Sequence, residues 1–297
     1  MRRWVVMPKR VLVVGATGYI GRHAVRELAA RGHRVVAFVR GAATFEPPVE
    51  VRAGEVTAPA SVARDAFRGE RFDAVVSCVA SRSGAPDDAW RVDYGANAAV
   101  LEAARAAGVG HFVLLSALCV QRPRLAFQRA KLAFERALAA SGLGYSIVRP
   151  TAFFKSLAGQ VERVARGAPF VCFGDGELTA CKPIGERDLA AYLADCLDDP
   201  AKKGATLPVG GPGEPVTPRA QGELLFELTG RPPRFRRVPV GLLDAAIATM
   251  GALGHVAAAA RQGRARAHRS LLRDRVDARV RPGARALRCG GDALVRH

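Results

Sequence analysis

The sequence predicts an α/β fold, a doubly wound parallel sheet with a small C-terminal lobe. The apolar run from Val11 to Val14 ends in glycines at positions 15, 18 and 21, and a helical pattern follows. Strand-like apolar runs then alternate with amphipathic segments up to residue 150, which is typical of parallel sheets. Beyond residue 150 the alternation loosens, so we expect a separate lobe there.

Each element of the alternation has its own signal. A helix is expected over about 19–31 and a second strand over 34–39. Further strands are predicted in "VEVRAGEV", "FDAVVSCVA", "HFVLLSAL" and "YSIVRPTAFF", and further helices in "SVARDAFRG", over about 90–107 and in "RAKLAFERALAASG". Arg149-Pro150 ends the fourth of these runs, because proline cannot donate to a sheet ladder.

The glycine spacing between strand and helix predicts a dinucleotide phosphate site. Gly15 permits a tight turn, Gly18 lets the backbone approach a pyrophosphate, and Gly21 lets the helix pack against the strand. The helix start then offers N–H groups and a positive dipole end. The predicted contacts are Gly15, Thr17, Gly18, Tyr19, Ile20, Gly21 and Arg22. A glycine-rich turn without a ligand is the alternative.

The second strand ends in Arg40 rather than in an acid. An acid at this position suits a free ribose 2′-hydroxyl, whereas a guanidinium suits a 2′-phosphate. Arg22 could supply a second positive charge. We therefore expect NADPH as the cofactor; the alternative is that Arg40 is a solvated loop residue.

These signals predict the domain organisation. Residues 8–150, completed by 185–205, are expected to form the NADP-binding domain. Residues 151–184 and 206–254 are expected to form the substrate lobe, which covers the nicotinamide end. Residues 255–297 are set apart as an atypical basic tail.

Composition narrows the class of protein. The 297 residues are 49% hydrophobic and 6% aromatic, and no apolar run is long enough to span a bilayer. The six cysteines form no CxxC motif and no Cys/His cluster, so we expect free thiols in a reducing compartment and no metal site. We predict a cytoplasmic protein. Peripheral membrane association and the oligomeric state stay open.

The net charge of +18 is unevenly distributed. Residues 255–297 contain eleven arginines and three aspartates, and the last 37 residues lack Lys, Glu, Ile, Phe, Tyr and Trp. A reading-frame error after about residue 254 would explain this composition; a genuine disordered basic arm is the alternative. The rest of the chain has no basic stripe interleaved with aromatic residues, so nucleic acid is not an expected partner.

The glycine motif, Arg40 and Ser116 at a later strand end resemble the extended and atypical short-chain dehydrogenase/reductases, proteins with an NAD(P)-binding Rossmann fold. In that superfamily a serine, and a tyrosine four residues before a lysine, perform proton chemistry. The corresponding stretch here is "FQRAK", with Lys131 present and Phe127 in place of the tyrosine. The resemblance implies that Ser116 and Lys131 contact the cofactor and that Lys131 positions the nicotinamide ribose. A solvated Lys131 and a purely structural Ser116 are the alternatives.

A narrower resemblance covers about residues 9–254. The segments "LAFQRAKLAFE" and "RPTAFFKSL" in particular are similar to the divinyl chlorophyllide a 8-vinyl-reductase family. That family implies NADPH-dependent reduction of the C8 vinyl group of divinyl chlorophyllide or protochlorophyllide to ethyl in chlorophyll and bacteriochlorophyll synthesis. It is an oxidoreductase reaction on a CH–CH bond of a tetrapyrrole that serves photosynthesis.

A flat apolar substrate implies apolar walls in the lobe. Candidates are Phe153, Phe154, Phe170 and Phe173, with Lys155 or Lys182 near a propionate. The alternative is ordinary lobe core for each phenylalanine and an ordinary surface position for each lysine. Since Phe127 cannot donate a proton, two further functions stay open: an NADP(H)-sensing or assembly protein, and a reductase of another conjugated double bond.

Overall fold

A seven-stranded parallel sheet forms the centre of the first of two compact units, which covers residues up to 150 together with 185–209. The computed structural model describes residues 7–46, 49–83 and 85–242. The strands are β1 Arg10–Val14, β2 Arg34–Val39, β3 Val49–Ala53, β4 Ala74–Ser77, β5 His111–Leu115, β6 Gly144–Pro150, β7 Phe170–Phe173, β8 Ala205–Val209 and β9 Phe235–Val238.

The strand order is β3-β2-β1-β4-β5-β6-β8, and every neighbouring pair is parallel. The chain therefore winds outwards from β1 in one direction and from β4 in the other. In sheets of this kind ligands bind where the winding reverses, at the carboxyl ends of the strands. The predicted doubly wound parallel sheet is confirmed.

Helices lie between the strands. They are α1 Gly21–Ala30, α2 Pro59–Ser61, α3 Pro86–Ala89, α4 Asn97–Ala106, α5 Ala126–Ala139, α6 Phe154–Leu157, α7 Val161–Ala165, α8 Glu186–Asp198 and α9 Pro218–Thr229. Within the described part of the chain, Val62–Phe67 is π-helical and continues α2, and Trp90–Ala96 is π-helical and joins α3 to α4. Among the residues described, no helix is long and apolar enough to cross a bilayer.

The sheet is buried on both faces, which explains its continuous apolar runs. Val11 to Val14 are fully buried, and the core cluster joins β1, β4 and β5 to α4 and α5 through side chains such as Phe112 and Phe134. These two rings lie 5.9 Å apart at their centroids. This packing fixes the strand ends that carry the candidate site.

The second unit has its own small core. Its described part comprises residues 151–184 and 210–242, and β7 pairs in parallel with β9. The rings of Phe226 and Phe235 meet edge to face at 5.5 Å, and Phe170 packs against Phe235 at 5.9 Å. Phe170 is only 2% exposed.

The structure departs from the sequence prediction at three places. Ala205–Val209 pairs with β6 as an edge strand of the large sheet, although all but its first residue was assigned to the lobe. The helix expected in "SLAGQVERVARG" is split into α6, a 3₁₀ turn over Ala158–Gln160 and α7. Helix α1 begins at Gly21 rather than near residue 19, because a hydrogen bond from Gly18 N to Gly15 O closes a turn first. Residues 243–254 of the predicted lobe and the tail 255–297 lie outside the described residues.

Candidate functional site

The loop between β1 and α1 leaves no room for side chains at two of its glycines. A Cβ on Gly15 would lie 2.7 Å from the carbonyl carbon of Cys78, and the φ of Gly15 is +76°. A Cβ on Gly21 would lie 2.1 Å from Gly15 O, and one on Gly18 would lie 3.0 Å from the same oxygen. Glycine at these positions is therefore what allows the loop to be this compact.

The start of α1 is left open to a ligand. Ile20, at the N-cap position, makes no side-chain capping bond, and its own side chain is 4% exposed. The first turn of the helix contains no acidic residue. The N–H groups of Arg22 and His23 already donate to Gly18 O and Ile20 O, so this end attracts an anion through the positive end of the helix dipole.

Two predicted contacts of this loop point elsewhere. The hydroxyl of Tyr19 donates to Glu186 Oε2 at 2.8 Å, at the start of α8. The guanidinium of Arg22 donates to the carbonyl oxygens of Thr17 and Gly18 at 3.2 and 3.4 Å. Arg22 therefore stabilises the loop by hydrogen bonds to its backbone. Its side chain lines a separate groove with Arg26 and Phe45 and does not line the cavity that contains Arg40.

A cavity of about 210 Å³ lies at the carboxyl ends of β1, β2, β3 and β4. The residues that line it are Gly15, Thr17, Gly18, Phe38, Val39, Arg40, Gly54, Glu55, Val56, Thr57, Cys78, Val79, Ala80, Ser81, Arg82, Asp88, Arg91 and Val92. Four of the predicted cofactor contacts, Gly15, Thr17, Gly18 and Arg40, thus share one cavity at the point where the winding reverses.

The glycine loop and this cavity fit a nicotinamide dinucleotide. Side chains at Gly15 and Gly21 would clash with backbone atoms, so only glycine allows the loop to pass this closely between β1 and the start of α1. A pyrophosphate requires this arrangement, and the adjoining cavity has apolar walls for a base and an arginine at the end of β2. No cluster of three or more His, Cys, Asp or Glu side chains suited to a metal occurs within the described ranges.

Lys131 on α5 belongs to a buried polar network. Its Nζ lies 3.1 Å from Asp93 Oδ1, and Asp93 Oδ2 accepts a 2.6 Å hydrogen bond from Ser81 Oγ. Asp93 is 1% exposed and Lys131 is 8% exposed. Burial raises the pKa of the Cys78 thiol, which follows β4, to about 12, and the Lys131 charge counteracts this.

Ser116 follows β5 and belongs to a second buried network. Its hydroxyl donates to Glu135 Oε1, and Arg149 donates to both oxygens of Glu135, through Nε at 3.1 Å and through Nη2. Ser116 and Glu135 are both buried. Because Glu135 accepts from three donors, it holds the Ser116 proton away from any other acceptor.

Sequence reasoning did not assign functional roles to Glu135, Arg149 or Asp93. Glu135 could have been found, because it lies four residues after Lys131 and so shares its helix face. Asn97 follows Asp93 by four residues, and its side-chain amide donates to the Asp93 carbonyl at 3.0 Å. The contact between Asp93 and Lys131 joins two elements that sequence spacing does not relate.

The expected apolar walls of the lobe are distributed differently. Phe170 is part of the second unit's core, which agrees with the alternative interpretation of this residue as ordinary lobe core. Phe154 is 55% exposed, and Phe153 and Phe173 are half-buried. Lys155 is exposed and Lys182 is half-buried.

The sheet, its reversal point and the glycine loop together define a nicotinamide-dinucleotide-binding protein. The chain belongs to the NAD(P)H-binding family, whose model matches residues 15–200. It resembles the UDP-glucose 4-epimerase of Thermus thermophilus in complex with NAD in fold, with a TM-score of 0.64 and 24% identity over 77% of this chain and 86% of that one.

Proteins named "Divinyl chlorophyllide a 8-vinyl-reductase, chloroplastic" are similar to this chain. The protein of Oryza sativa subsp. indica is 50% identical over 263 residues, 83% of this chain and 65% of the relative. That of Zea mays is 49% identical over 254 residues, 80% and 63% respectively. The chain thus spans slightly less than two thirds of the length of these relatives. The resemblance predicted from "LAFQRAKLAFE" and "RPTAFFKSL" is confirmed.

A more distant relative carries a different name. The photosystem II assembly factor Ycf39 of Synechocystis is 29% identical over 79% of this chain and 72% of its own length.

The prediction of a cytoplasmic location is wrong. Four relatives at 46–50% identity, including those of Cucumis sativus and Arabidopsis thaliana, are all named chloroplastic. The inference failed because a lack of apolar spans and disulfide motifs is common to many compartments.

Proposed function

We propose that the chain reduces the C8 vinyl group of divinyl chlorophyllide, or of its protochlorophyllide counterpart, to an ethyl group with NADPH. The observation that carries the proposal is its 46–50% identity, over about 80% of its length, to relatives named for that activity. Both chlorophyll and bacteriochlorophyll synthesis include substrates of this class.

The chemistry of the site supports reduction of a carbon–carbon double bond. When bound, NADPH supplies a hydride, and the conjugated macrocycle can accept it at the vinyl terminus and delocalise the charge. The glycine loop binds the pyrophosphate, and Lys131 orients the nicotinamide ribose through the N–H groups that Asp93 leaves available. What the chain supplies is therefore orientation.

The side chains that could donate a proton support the same assignment. Phe127 has no exchangeable proton, and the Ser116 proton is engaged by Glu135. Reduction of a carbonyl needs a proton delivered to the oxygen as the hydride arrives, which these two side chains do not provide. A delocalised carbanion can instead take its proton later, from solvent or another pocket group.

Cofactor choice rests on Arg40. The residue is exposed at the end of β2 and lines the cavity beside the glycine loop. A guanidinium there can make charge-assisted hydrogen bonds to a 2′-phosphate. NADPH is therefore the proposed cofactor rather than NADH.

A direct assay tests the proposal. Purified protein is incubated with 3,8-divinyl chlorophyllide and either NADPH or NADH, and pigments are separated by chromatography. We expect the 8-ethyl product to accumulate in proportion to NADPH consumed, with NADH far less effective. Binding of NADPH without any 8-ethyl product would contradict the proposed activity.

An NADP(H)-sensing assembly protein is the second candidate. The absence of a tyrosine at position 127 and the similarity to the assembly factor Ycf39 favour it. Such a protein would bind NADPH and show no turnover with any divinyl pigment. The same assay therefore separates the two candidates.

A further inference from the structure

The cavity beside the glycine loop has an unusual charge pattern. Three guanidinium groups line it, from Arg40, Arg82 and Arg91, against the carboxylates of Glu55 and Asp88. All three arginines are exposed. The charged groups of the lining therefore sum to one positive charge, and the sequence analysis had not predicted Arg82 or Arg91 there.

Arg91 is held in place by its neighbours. Its Nη2 lies 2.9 Å from Asp88 Oδ1, and Asp88 Oδ2 accepts a 2.7 Å hydrogen bond from Ser83 Oγ. Arg91 belongs to the π-helical segment Trp90–Ala96. Asp88 uses its oxygens on Ser83 and Arg91, so this guanidinium is oriented while its side chain stays 66% exposed.

Glu55 lines the same cavity as Arg40 and Arg91. Hydrogen bonds from Thr57, through its backbone N–H at 3.0 Å and its Oγ1 at 2.8 Å, lower the pKa of Glu55. The charges of Arg40 and Arg91 lower it further. The cavity thus holds one carboxylate together with the two guanidinium groups, and its negative charge reduces the repulsion between them.

We propose that Arg91 is a second residue that recognises the 2′-phosphate of NADPH, together with Arg40. This inference rests on the proposed use of NADPH. A 2′-phosphate carries close to two negative charges and three acceptor oxygens, which suits two guanidinium groups approaching from different elements. Arg22, the second cation expected from the sequence, instead donates to the carbonyl oxygens of the loop.

Nucleotide fragments test this without catalysis. Binding of 2′,5′-ADP and of 5′-AMP to the full chain is measured by calorimetry at low salt, because the two differ only in the 2′-phosphate. Arg91→Gln should weaken 2′,5′-ADP about fivefold to tenfold and leave 5′-AMP within about twofold, as expected for a lost charge-assisted contact. Arg91→Lys should recover part of the loss.

Arg105→Gln is the matched control. Arg105 is likewise an exposed arginine paired to an acid three residues earlier, Glu102 at 3.3 Å, but it does not line the cavity. Its loss should leave both affinities unchanged. Circular dichroism and thermal unfolding check that each variant is folded.

The outcomes are distinct. If Arg91→Gln weakened both ligands equally, Arg91 would contact the base or the 5′-phosphate, and the proposal would be overturned. An unchanged 2′,5′-ADP affinity would overturn it as well. If the unsubstituted chain itself showed no preference for 2′,5′-ADP over 5′-AMP, the proposed use of NADPH would fail together with the role of Arg91. If Arg40→Gln lost this preference and Arg91→Gln kept it, the role of Arg91 would be overturned and the proposed use of NADPH would remain supported.

Discussion

Lys131 Nζ and Asp93 Oδ1 lie 3.1 Å apart, and both side chains are almost completely buried. The pair joins α5 to the π-helical segment that follows α3. A buried ion pair of this kind costs desolvation, so we expect it to fix the position of the ammonium more than to stabilise the fold.

Substitution of Lys131 separates these two effects. Lys131→Met should destabilise the fold by about 3–5 kcal/mol, because it leaves Asp93 buried without its cation. It should also lower hydride transfer strongly, since the nicotinamide ribose loses its orienting donor. Chemical denaturation and single-turnover kinetics at saturating NADPH measure the two quantities.

A double variant provides the control for the Lys131 experiment. Lys131→Met combined with Asp93→Asn removes the unpaired charge and should regain most of the lost stability. Hydride transfer should stay low, because the ammonium is still missing. Recovery of hydride transfer along with stability would mean that Lys131 has no role beyond the fold.

Phe127 tests whether the superfamily's tyrosine is needed. Phe127→Leu should change vinyl reduction by less than about tenfold, or about 1.4 kcal/mol, through packing alone. Phe127→Tyr restores the hydroxyl and should bring no gain in rate. A large rate increase in Phe127→Tyr, measured under the same single-turnover conditions, would argue against a proton from elsewhere.

Gly21 tests the geometry of the loop. A Cβ at this position would lie 2.1 Å from Gly15 O, so Gly21→Ala must displace the glycine loop. We expect NADPH affinity to fall by at least about tenfold, or about 1.4 kcal/mol. Gly41→Ala is the control, because nothing lies within 4 Å of its added Cβ. Wild-type affinity in a folded Gly21→Ala variant would refute the assignment of the loop.

His111 predicts a pH dependence of stability. Burial, with the charges of Lys203 and Lys9, lowers the pKa of His111 from 6.5 to about 4. The unfolded chain therefore binds a proton more readily than the folded one. Stability should be unaffected above pH 6.5 and should fall by about 3 kcal/mol in total as the pH drops through 6.5 towards 4.

The comparison with His111→Gln isolates this contribution. Unfolding free energies of the two proteins are measured from pH 7.5 to 4, where all other titrating groups are shared. The difference between them should shrink as the pH falls through this window. Parallel curves would show that His111 does not titrate as inferred.

Much of the fold followed from local patterns, for definable reasons. The run from Val11 to Val14 is continuous because parallel strands are covered on both faces. Two features were not predicted, because they depend on partners remote in sequence. At the break between α6 and α7, the carbonyl of Leu157 accepts a hydrogen bond from Gln221. The edge position of β8 depends on its pairing with β6.

The site was only partly predictable for the same reason. The glycine loop and Arg40 are set by spacing within one βαβ unit, which a sequence displays directly. The contacts of Lys131 with Asp93 and of Ser116 with Glu135 arise only when separate elements pack together. Arg22 is a different case, because its guanidinium donates to carbonyl oxygens only four and five residues earlier.

Deuterium transfer tests the central proposal most directly. The protein is incubated for a single turnover with divinyl chlorophyllide and with NADPH deuterated at C4 on either face, and the pigment is analysed by mass spectrometry. We predict that one of the two labelled cofactors places one deuterium in the new C8 ethyl group. A pigment that stays 8-vinyl while NADPH is bound, or an ethyl product without deuterium from either cofactor, would contradict it.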